Sequence, residues 1–390
     1  MSFDDIIDFR GTHSQKWDSM EKTWGIPAAD GLAMWVADMD FRQPEGMIGA
    51  VRDAAERGLF TYFGGMEEYE GSIAWWMKAR HGWDVAPAEI MTTHGIVNAV
   101  AMALEAFTRP GDGVVLMTPV YHAFARVIRA NDRDVVECPL ALRDGMYAMD
   151  FDAWDAMMTG AERMLILCSP HNPGGRVWTR DELRGVADFA RRHDLILVSD
   201  EIHHDLVYPG HKHLPMPVAA PEVADRTVIM SATSKTFNVA GMHCGNVIIH
   251  DPALRAAYQK RLSQLSISPN SMSLRMTPAL YSPEGAAWVD ALCAYLDGNH
   301  RIFVEGINAI PGLSAQPMQG TYLSWVDFAG TGMTPEEVNR RVTTDARIAA
   351  NPGPSFGRGG ETFLRFNIGT QRARVEEAVA RMAHAFRDLQ

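Results

Sequence analysis

One lysine has surroundings that could give it chemistry beyond that of a surface charge. Lys235 follows the short apolar run 227–230 and lies within the stretch SATSKTFNVAG at 231–241, among small and hydroxyl residues. Apolar runs of this length are typical of buried strands. A lysine at a strand end in a pocket can lose its proton and form a Schiff base with a carbonyl. Taken alone, the stretch favours a surface lysine in a polar turn, because short motifs often match by chance.

Strand-like runs alternate with helical patterns through the middle of the chain. Between two of these runs, Thr179 and Glu182 have the spacing of a capping box at a helix start. This alternation predicts an α/β fold whose sheet is mostly parallel and covered on both faces. Four apolar runs are predicted as strands: 114–119, 164–169, 195–199 and 228–232.

Four residues with possible chemical roles come just after strand-like runs: Gly95, which follows the piece that begins at Met91, and Asn172, Asp200 and Lys235, which follow three of the predicted strands. In open parallel sheets, ligands bind beyond the carboxyl ends of the strands. The shared position of these four residues therefore predicts a single site built from four loops.

Composition and charge narrow the class of protein. A chain of 390 residues is typical of two domains, and its net charge of −12 argues against a nucleic-acid or anionic-membrane partner. The four cysteines form no C-x-x-C pair, which favours a reducing cytoplasm over a disulfide framework. The N-terminal stretch lacks the apolar region of a signal peptide, and no run of about 18 apolar residues predicts a membrane span.

The pattern changes in the C-terminal third. GTYLSWVDF and TFLRFNIGT read as antiparallel strands, and the last helix carries apolar residues on one face. Near the N-terminus, the run 34–44 reads as a strand followed by the carboxylates Asp38 and Asp40. We predict an N-terminal arm at 1–45 that joins the small domain, a large domain at 46–280 and a small α+β domain at 281–390.

Several motifs resemble those of a known enzyme family. The pieces GTHSQKWD, MWVADMDF, RHGW, PVYHAF, PHNPGGRVW, SDEIHHDL, SKTFNVAG and TFLRFN together cover almost the whole chain. They resemble the fold type I pyridoxal-phosphate enzymes of the class I/II aminotransferase superfamily, and within it the cystathionine β-lyase (C–S lyase) branch. The resemblance implies pyridoxal 5'-phosphate as cofactor, an L-amino acid as substrate and a homodimer with a shared active site.

The resemblance assigns roles around the cofactor ring. Lys235 would hold the cofactor as a Schiff base and then take the Cα proton of the substrate. Asp200 would pair with the pyridinium nitrogen, and Asn172 would donate to the ring 3-oxygen, a contact that His203 could share. Tyr121 would stack on the ring beside the reacting centre. From spacing alone, Asp200 and Asn172 are equally compatible with turn or cap residues, and Tyr121 with a core aromatic.

The resemblance also assigns a phosphate site. Ser234 would add a hydroxyl, and Tyr62 would reach the phosphate of the other subunit. Many relatives carry an arginine eight residues after the lysine, where this chain has His243. A helix N-terminus suits an anion, although an ordinary helix start would look the same. The backbone N–H groups expected to face the phosphate belong to Gly95, Ile96 and Val97.

Substrate binding would centre on Arg365, whose guanidinium would hold the α-carboxylate in a bidentate fork. An arginine within the apolar strand FLRFN is unfavourable unless it is paired, which favours a functional role. Trp35 and Ala37 would line the substrate pocket, although Trp35 is otherwise an ordinary core residue.

Three alternatives to a C–S lyase arise from the same residues. An aminotransferase needs the same lysine, aspartate and arginine, and differs only in pocket shape and proton positioning. A non-catalytic regulatory protein is a further alternative, without a surface motif to support it. A metal site is not expected, because no H-E-x-x-H motif is present and adjacent histidines rarely converge on one ion. The residues that raise this last alternative are Glu201, His203, His204, Asp205, His211 and His213.

Overall fold

The computed structural model of the chain describes residues 2–389, and its largest element is a seven-stranded sheet. The strands are β1 (Leu32–Ala33), β2 (Ile90–Thr93), β3 (Gly113–Leu116), β4 (Asp134–Glu137), β5 (Ala141–Arg143), β6 (Met146–Ala148), β7 (Glu162–Cys168), β8 (Ile196–Asp200), β9 (Thr227–Ser231), β10 (Gly245–Ile248), β11 (Ser314–Ala315), β12 (Leu323–Asp327), β13 (Ile348–Ala349), β14 (Asn351–Pro352) and β15 (Phe363–Asn367).

Helices cover both faces of this sheet and form much of the remaining structure. They are α1 (Met20–Trp24), α2 (Glu45–Glu56), α3 (Glu67–His81), α4 (Ile96–Phe107), α5 (Ala123–Ala130), α6 (Phe151–Asp155), α7 (Arg180–Arg192), α8 (Met216–Ala219), α9 (Thr233–Thr236), α10 (Pro252–Gln264), α11 (Ser271–Leu280), α12 (Pro283–Asn308), α13 (Pro335–Arg340) and α14 (Arg372–Ala385).

The large sheet has the order β2-β10-β9-β8-β7-β3-β4. Strand β10 runs antiparallel to both of its neighbours, and the other adjacent strands pair in parallel. Helices on both faces bury these strands, which explains why they read as continuous apolar runs. The predicted α/β class with a mostly parallel sheet is therefore confirmed, and so are the four predicted strands, now β3, β7, β8 and β9.

Helix α7 shows how local sequence determines an element boundary. The Thr179 side chain accepts a hydrogen bond from the backbone of Glu182, and the Glu182 carboxylate accepts one from the backbone of Thr179. This is the capping box that the spacing predicts. It starts the helix directly after the loop that carries Asn172 and leads back towards β8.

A second, four-stranded sheet lies in the C-terminal third, in the order β11-β12-β15-β14, with antiparallel pairing throughout. The predicted antiparallel pair is confirmed as β12 and β15, with Trp325 opposite Arg365. The N-terminal segment contacts the same region, because β1 pairs in parallel with β13. The domain boundaries at 45 and 280 stay a prediction.

The prediction of a strand in the run 34–44 is wrong, because β1 ends at Ala33. Met34 keeps backbone hydrogen bonds to Ala349 and Asn367, and the chain then bends through Trp35 to Ala37. The carbonyls of Val36 and Ala37, within the bend, accept hydrogen bonds from side chains of distant elements instead of from a neighbouring strand.

In the described part of the chain, no helix combines the length and apolar character needed to cross a bilayer.

Candidate active site

A cleft of about 270 Å³ lies at the carboxyl ends of the parallel strands. The loops after β2, β7, β8 and β9 all contribute to its lining, as their common position predicted. The predicted site residues that line it are Ala37, Gly95, Ile96, Val97, Tyr121, Asn172, Asp200, His203, Ser234 and Lys235.

Lys235 lies in the single turn of α9, directly after β9. Its Nζ donates a 2.7 Å hydrogen bond to the carbonyl of Ala37. Burial lowers the pKa of Lys235, and the nearby carboxylates of Asp38 and Asp200 oppose this effect. A lowered pKa increases the fraction of uncharged amine at neutral pH, which is the form that attacks a carbonyl or accepts a proton.

Asp200 ends β8 and is only 3% exposed. Its Oδ1 accepts a hydrogen bond from the backbone N–H of Ile202 at 3.0 Å, and within residues 2–389 it forms no ion pair. Burial raises the pKa of this carboxyl to about 7. A buried carboxyl group facing a cleft would be stabilised as a carboxylate by a bound cation, such as a protonated ring nitrogen.

Arg365 is 2% exposed in the middle of β15 and adjoins the cleft through Asn172. Its Nη1 donates to Asn172 Oδ1 at 3.1 Å, and its Nη2 donates to Asn351 Oδ1 and the Trp35 carbonyl. Burial lowers the pKa of Arg365 to about 10, so it stays charged at neutral pH. Among the described residues no carboxylate pairs with it, and its Nε has no hydrogen-bond partner. A buried cation without a counterion is a ready receptor for a carboxylate.

The bend at 35–37 places a backbone oxygen beside Lys235. The carbonyl of Ala37 accepts from Lys235 and, at 2.8 Å, from the hydroxyl of Tyr322. The Asn367 side-chain amide donates to the carbonyls on either side of Ala37, at Val36 and Asp38. These contacts fix the Ala37 carbonyl beside the lysine.

A buried ion pair supports this bend from behind. Lys16 and Asp40 are each 2% exposed and 2.9 Å apart, and Lys16 also donates to the Asp38 carbonyl. The indole of Trp17 donates to the other Asp40 oxygen at 2.8 Å. Asp38 and Asp40 stand out in the sequence, but no local pattern there predicts a role for Lys16 or Tyr322. The only available signal for Lys16 is its place in the motif GTHSQKWD.

His203 and Tyr121 line the part of the cleft where the cofactor ring is expected. Burial lowers the pKa of His203 to about 3, with Lys235 and Arg365 adding to the effect, so its imidazole is neutral. Its Nδ1 has no hydrogen-bond partner in the described part of the chain. Tyr121 has a pKa raised mainly by burial and therefore stays a neutral phenol. Neutral groups with free hydrogen-bonding atoms suit a ring with a polar substituent.

At the other end of the cleft, α4 begins after Gly95, which has a φ of +94°. This left-handed conformation favours glycine over other residues. The first turn of a helix has N–H groups without intrahelical acceptors, and its dipole favours an anion. Together with the Ser234 side chain, these groups can receive a phosphate.

Two predicted site residues lie away from this cleft. The indole of Trp35 packs against Trp24 and donates to the Lys16 carbonyl, so only the Trp35 backbone reaches Arg365. Tyr62 is fully exposed on the surface of the chain, so its predicted contact with another subunit stays a prediction.

The acidic and histidine residues after β8 have separate environments. His203 lines the cleft, whereas Glu201 pairs with His213 at 3.0 Å. His204 and Asp205 form a buried cluster with His81, and their potential ligand atoms lie within 4.8 Å of one another. Asp205 also accepts hydrogen bonds from Trp76 and from Thr236, the residue after Lys235. These bonds connect the cluster to the lysine loop and give Asp205 a structural role.

Comparisons with known proteins agree with this geometry. The sequence profile described as aminotransferase class I and II matches residues 36–382. The chain belongs to the class I and II aminotransferase family. Among other members, it is 36% identical to cystathionine beta-lyase PatB of Bacillus subtilis (strain 168), over 99% of this chain and 100% of that protein. It is 31% identical to protein MalY of Escherichia coli (strain K12), over 99% and 98% of the two chains.

A solved structure is also similar to this chain over its full length. Cystalysin from Treponema denticola, whose crystal structure contains a pyridoxal 5'-phosphate cofactor, aligns with a TM-score of 0.95 at 34% identity. The alignment covers 100% of this chain and 99% of cystalysin. The fold of this chain is therefore that of fold type I pyridoxal-phosphate enzymes.

Proposed function

We propose that the chain is a pyridoxal-phosphate-dependent C–S β-lyase. Its substrate would be an L-amino acid with a β-thioether, such as cystathionine or another cysteine S-conjugate, and its products a thiol, pyruvate and ammonia. The observation that carries the proposal is that a partly buried lysine in the cleft, Lys235, lies near a buried arginine, Arg365, that has no carboxylate partner among the described residues. The full-length similarity to PatB, named a cystathionine beta-lyase, supports the choice of reaction.

The described residues fit pyridoxal 5'-phosphate at this cleft. Asp200 offers a buried carboxylate to a ring nitrogen, and Asn172 and His203 offer polar atoms to a ring oxygen. The start of α4 and Ser234 suit the phosphate. When bound, the cofactor supplies an electron sink for the pair left behind when a proton leaves the substrate Cα.

The chain's own residues then account for the reaction. Arg365 holds the α-carboxylate and so orients the Cα–H bond towards Lys235. The Lys235 amine removes the Cα proton, and the Ala37 carbonyl accepts a hydrogen bond from the ammonium that forms. The electron pair forms a Cα–Cβ double bond while the Cβ–S bond breaks, and the sulfur leaves as thiolate and takes up a proton. Addition of one water then releases pyruvate and ammonia, which balances the equation.

An aminotransferase is the alternative within the same family, because its first proton transfer uses the same residues. In the deciding assay, S-methylcysteine or cystathionine is added to purified protein that has been mixed with pyridoxal phosphate, and no keto acid is present. Release of thiol and pyruvate in equal amounts supports the lyase. If no pyruvate forms and the amino group is instead transferred to an added keto acid, the enzyme is an aminotransferase and not a lyase. The variant K235A should lose either activity, whereas K212A, at an exposed lysine outside the cleft, should keep it.

We infer that the enzyme acts as a homodimer with a shared active site. Tyr62 is fully exposed and Phe60 is 66% exposed, both beside a groove of about 770 Å³ that also contains Phe63 and Ile267. Exposed aromatic residues around such a groove are typical of an interface. Mixing inactive Y62A and K235A chains should restore activity if one site uses residues of two subunits. A monomer in sedimentation, or mixtures that stay inactive, would contradict the shared site.

The cytoplasm is our proposed location. The four cysteines are free in the structure, and each is buried. Unpaired cysteines agree with a reducing compartment.

A further inference from the structure

A second group of side chains with possible chemistry is buried outside the cleft, where the end of α3 contacts the loop after β8. It consists of His81, the last residue of α3, and of His204 and Asp205. Their side chains are 6%, 1% and 0% exposed. His203, the sequence neighbour of His204, faces the cleft instead, so the second imidazole comes from a distant part of the chain. The motifs RHGW and SDEIHHDL contain this cluster, and the proposed reaction does not use it.

The separations within the cluster are those of metal ligands. His81 Nε2 lies 3.0 Å from Asp205 Oδ1, and His204 Nε2 lies 3.0 Å from Asp205 Oδ2. One potential ligand atom from each residue lies within 4.8 Å of the other two. Zinc forms bonds of about 2.0–2.2 Å to imidazole nitrogen and carboxylate oxygen, which places tetrahedral ligand atoms about 3.3 Å apart. One ion can therefore contact all three side chains after small rotations.

His204 gives an independent indication of a ligand. Its Nε2 is buried and has no hydrogen-bond partner within residues 2–389, because the 3.0 Å contact with Asp205 lacks hydrogen-bond geometry. A buried imidazole nitrogen without a partner is unfavourable, and a bound ion removes that cost. A cavity of about 320 Å³ adjoins the cluster and is also lined by the exposed residues His211 and Lys212. It offers an entry path from the surface and room for a water molecule as the fourth ligand.

The charges around the cluster favour an additional cation. Burial acts to raise the pKa of Asp205, but the two imidazoles of the cluster outweigh burial and hold this pKa well below its usual range. Glu201, which pairs with His213, is a second buried carboxylate beside the cluster. The nearest arginine is Arg80, whose Nε lies 3.6 Å from Asp205 Oδ1 and whose Nη2 pairs with Asp290. A single arginine thus faces two buried carboxylates, and a metal ion supplies the missing positive charge.

We propose that His81, His204 and Asp205 bind one divalent transition-metal ion, with zinc as the expected ion. Zinc prefers imidazole and carboxylate ligands, whereas calcium and magnesium take oxygen ligands. The ion takes the place of a proton at each Nε2, and each imidazole keeps its proton on Nδ1. The Trp76 and Thr236 side chains donate hydrogen bonds to Asp205 and orient it from outside the metal shell. The ion joins α3 to the loops after β8 and β9, so it stabilises the fold and takes no part in the reaction.

The test measures zinc binding by calorimetry on cofactor-loaded protein that has been treated with a chelator. The variants are H81Q and H204Q, and H193Q is the matched control, because His193 pairs with Asp155 at 2.7 Å outside the cluster. Wild type and H193Q should bind one zinc ion per chain with equal affinity. H81Q and H204Q should each weaken binding by more than about 100-fold, because the loss of an outer-shell partner alone weakens it by about 10- to 100-fold. Circular dichroism confirms that each variant is folded.

X-ray absorption at the zinc edge identifies the ligands directly. The zinc-loaded wild type should show two imidazoles, with bonds of about 2.0–2.2 Å. In H81C, a bond of about 2.3 Å to sulfur should replace one imidazole, a change that a purely structural role of His81 would not produce. If a variant does not fold, the wild-type spectrum decides.

Three outcomes overturn the proposal: no zinc binding by the wild type, equal affinity in wild type, H81Q and H204Q, or a zinc shell without two imidazoles. Equal affinity would mean adventitious binding at surface histidines. None of these outcomes affects the proposed function, because the lyase reaction does not use this site.

Discussion

Replacing Arg365 by lysine should impair the use of amino-acid substrates far more than it impairs the fold. The guanidinium is 2% exposed, forms hydrogen bonds through Nη1 and Nη2 to Asn172, Asn351 and the Trp35 carbonyl, and keeps its Nε free. Lysine retains the charge but loses the planar fork that fits a carboxylate. The substitution therefore removes the directional part of the interaction and keeps the long-range attraction.

The size of the effect follows from known buried charge pairs. Truncating one partner of such a pair costs about 2 to 5 kcal/mol, and a retained charge places R365K near the lower limit. A loss of about 2 to 3 kcal/mol corresponds to a decrease of about 30- to 150-fold in kcat/KM. The decrease should disappear for a thioether amine without the α-carboxylate, because Arg365 then has no anion to bind.

The assay compares kcat/KM for thiol release from S-methylcysteine in wild type, R365K and R133K, together with thermal unfolding. Arg133 is a matched control, since it is 5% exposed, pairs with Glu105 at 2.7 Å and lies outside the cleft. R133K should lose stability and keep its kcat/KM. A folded, cofactor-loaded R365K whose kcat/KM stays within about threefold of wild type would refute the carboxylate role.

Two further predictions concern buried charges. K16M removes the nearer cation from buried Asp40 and leaves Arg374 at 3.5 Å, so it should lower the free energy of unfolding by about 3 kcal/mol, the lower limit for a broken buried pair. R57M breaks the exposed pair with Asp53 and should change the free energy of unfolding by less than about 0.5 kcal/mol. Equal effects of the two variants in denaturant titrations would contradict this. In cofactor-free protein, burial raises the pKa of Asp200 to about 7, above its value in the unfolded chain. Between about pH 4 and 7 the native state therefore keeps a proton that the unfolded state loses. The free energy of unfolding should fall as pH rises from about 4 to 7, by at most about 4 kcal/mol. D200N should remove this loss of stability, and an identical pH dependence of unfolding in both proteins would contradict the raised pKa of Asp200.

Much of this protein could be predicted from its sequence, because the signals are local. Apolar runs predicted β3, β7, β8 and β9, since strands buried on both faces must be apolar throughout. The loops after parallel strands meet at one edge of the sheet, so the order of residues alone assigns Asn172, Asp200 and Lys235 to one cleft. The capping box of α7 could also be predicted from the sequence, because its hydrogen bonds join residues three positions apart.

The tertiary structure decided what depends on contacts between distant segments. The strand expected after Met34 is a bend, because its carbonyls bond Lys235, Tyr322 and Asn367, which lie some two to three hundred residues further along the chain. No local pattern encodes such partners. Trp35 likewise packs its indole on Trp24 and offers only its backbone to the site. Sequence thus determined which side chains could do chemistry, and the fold determined which backbone atoms hold them in place.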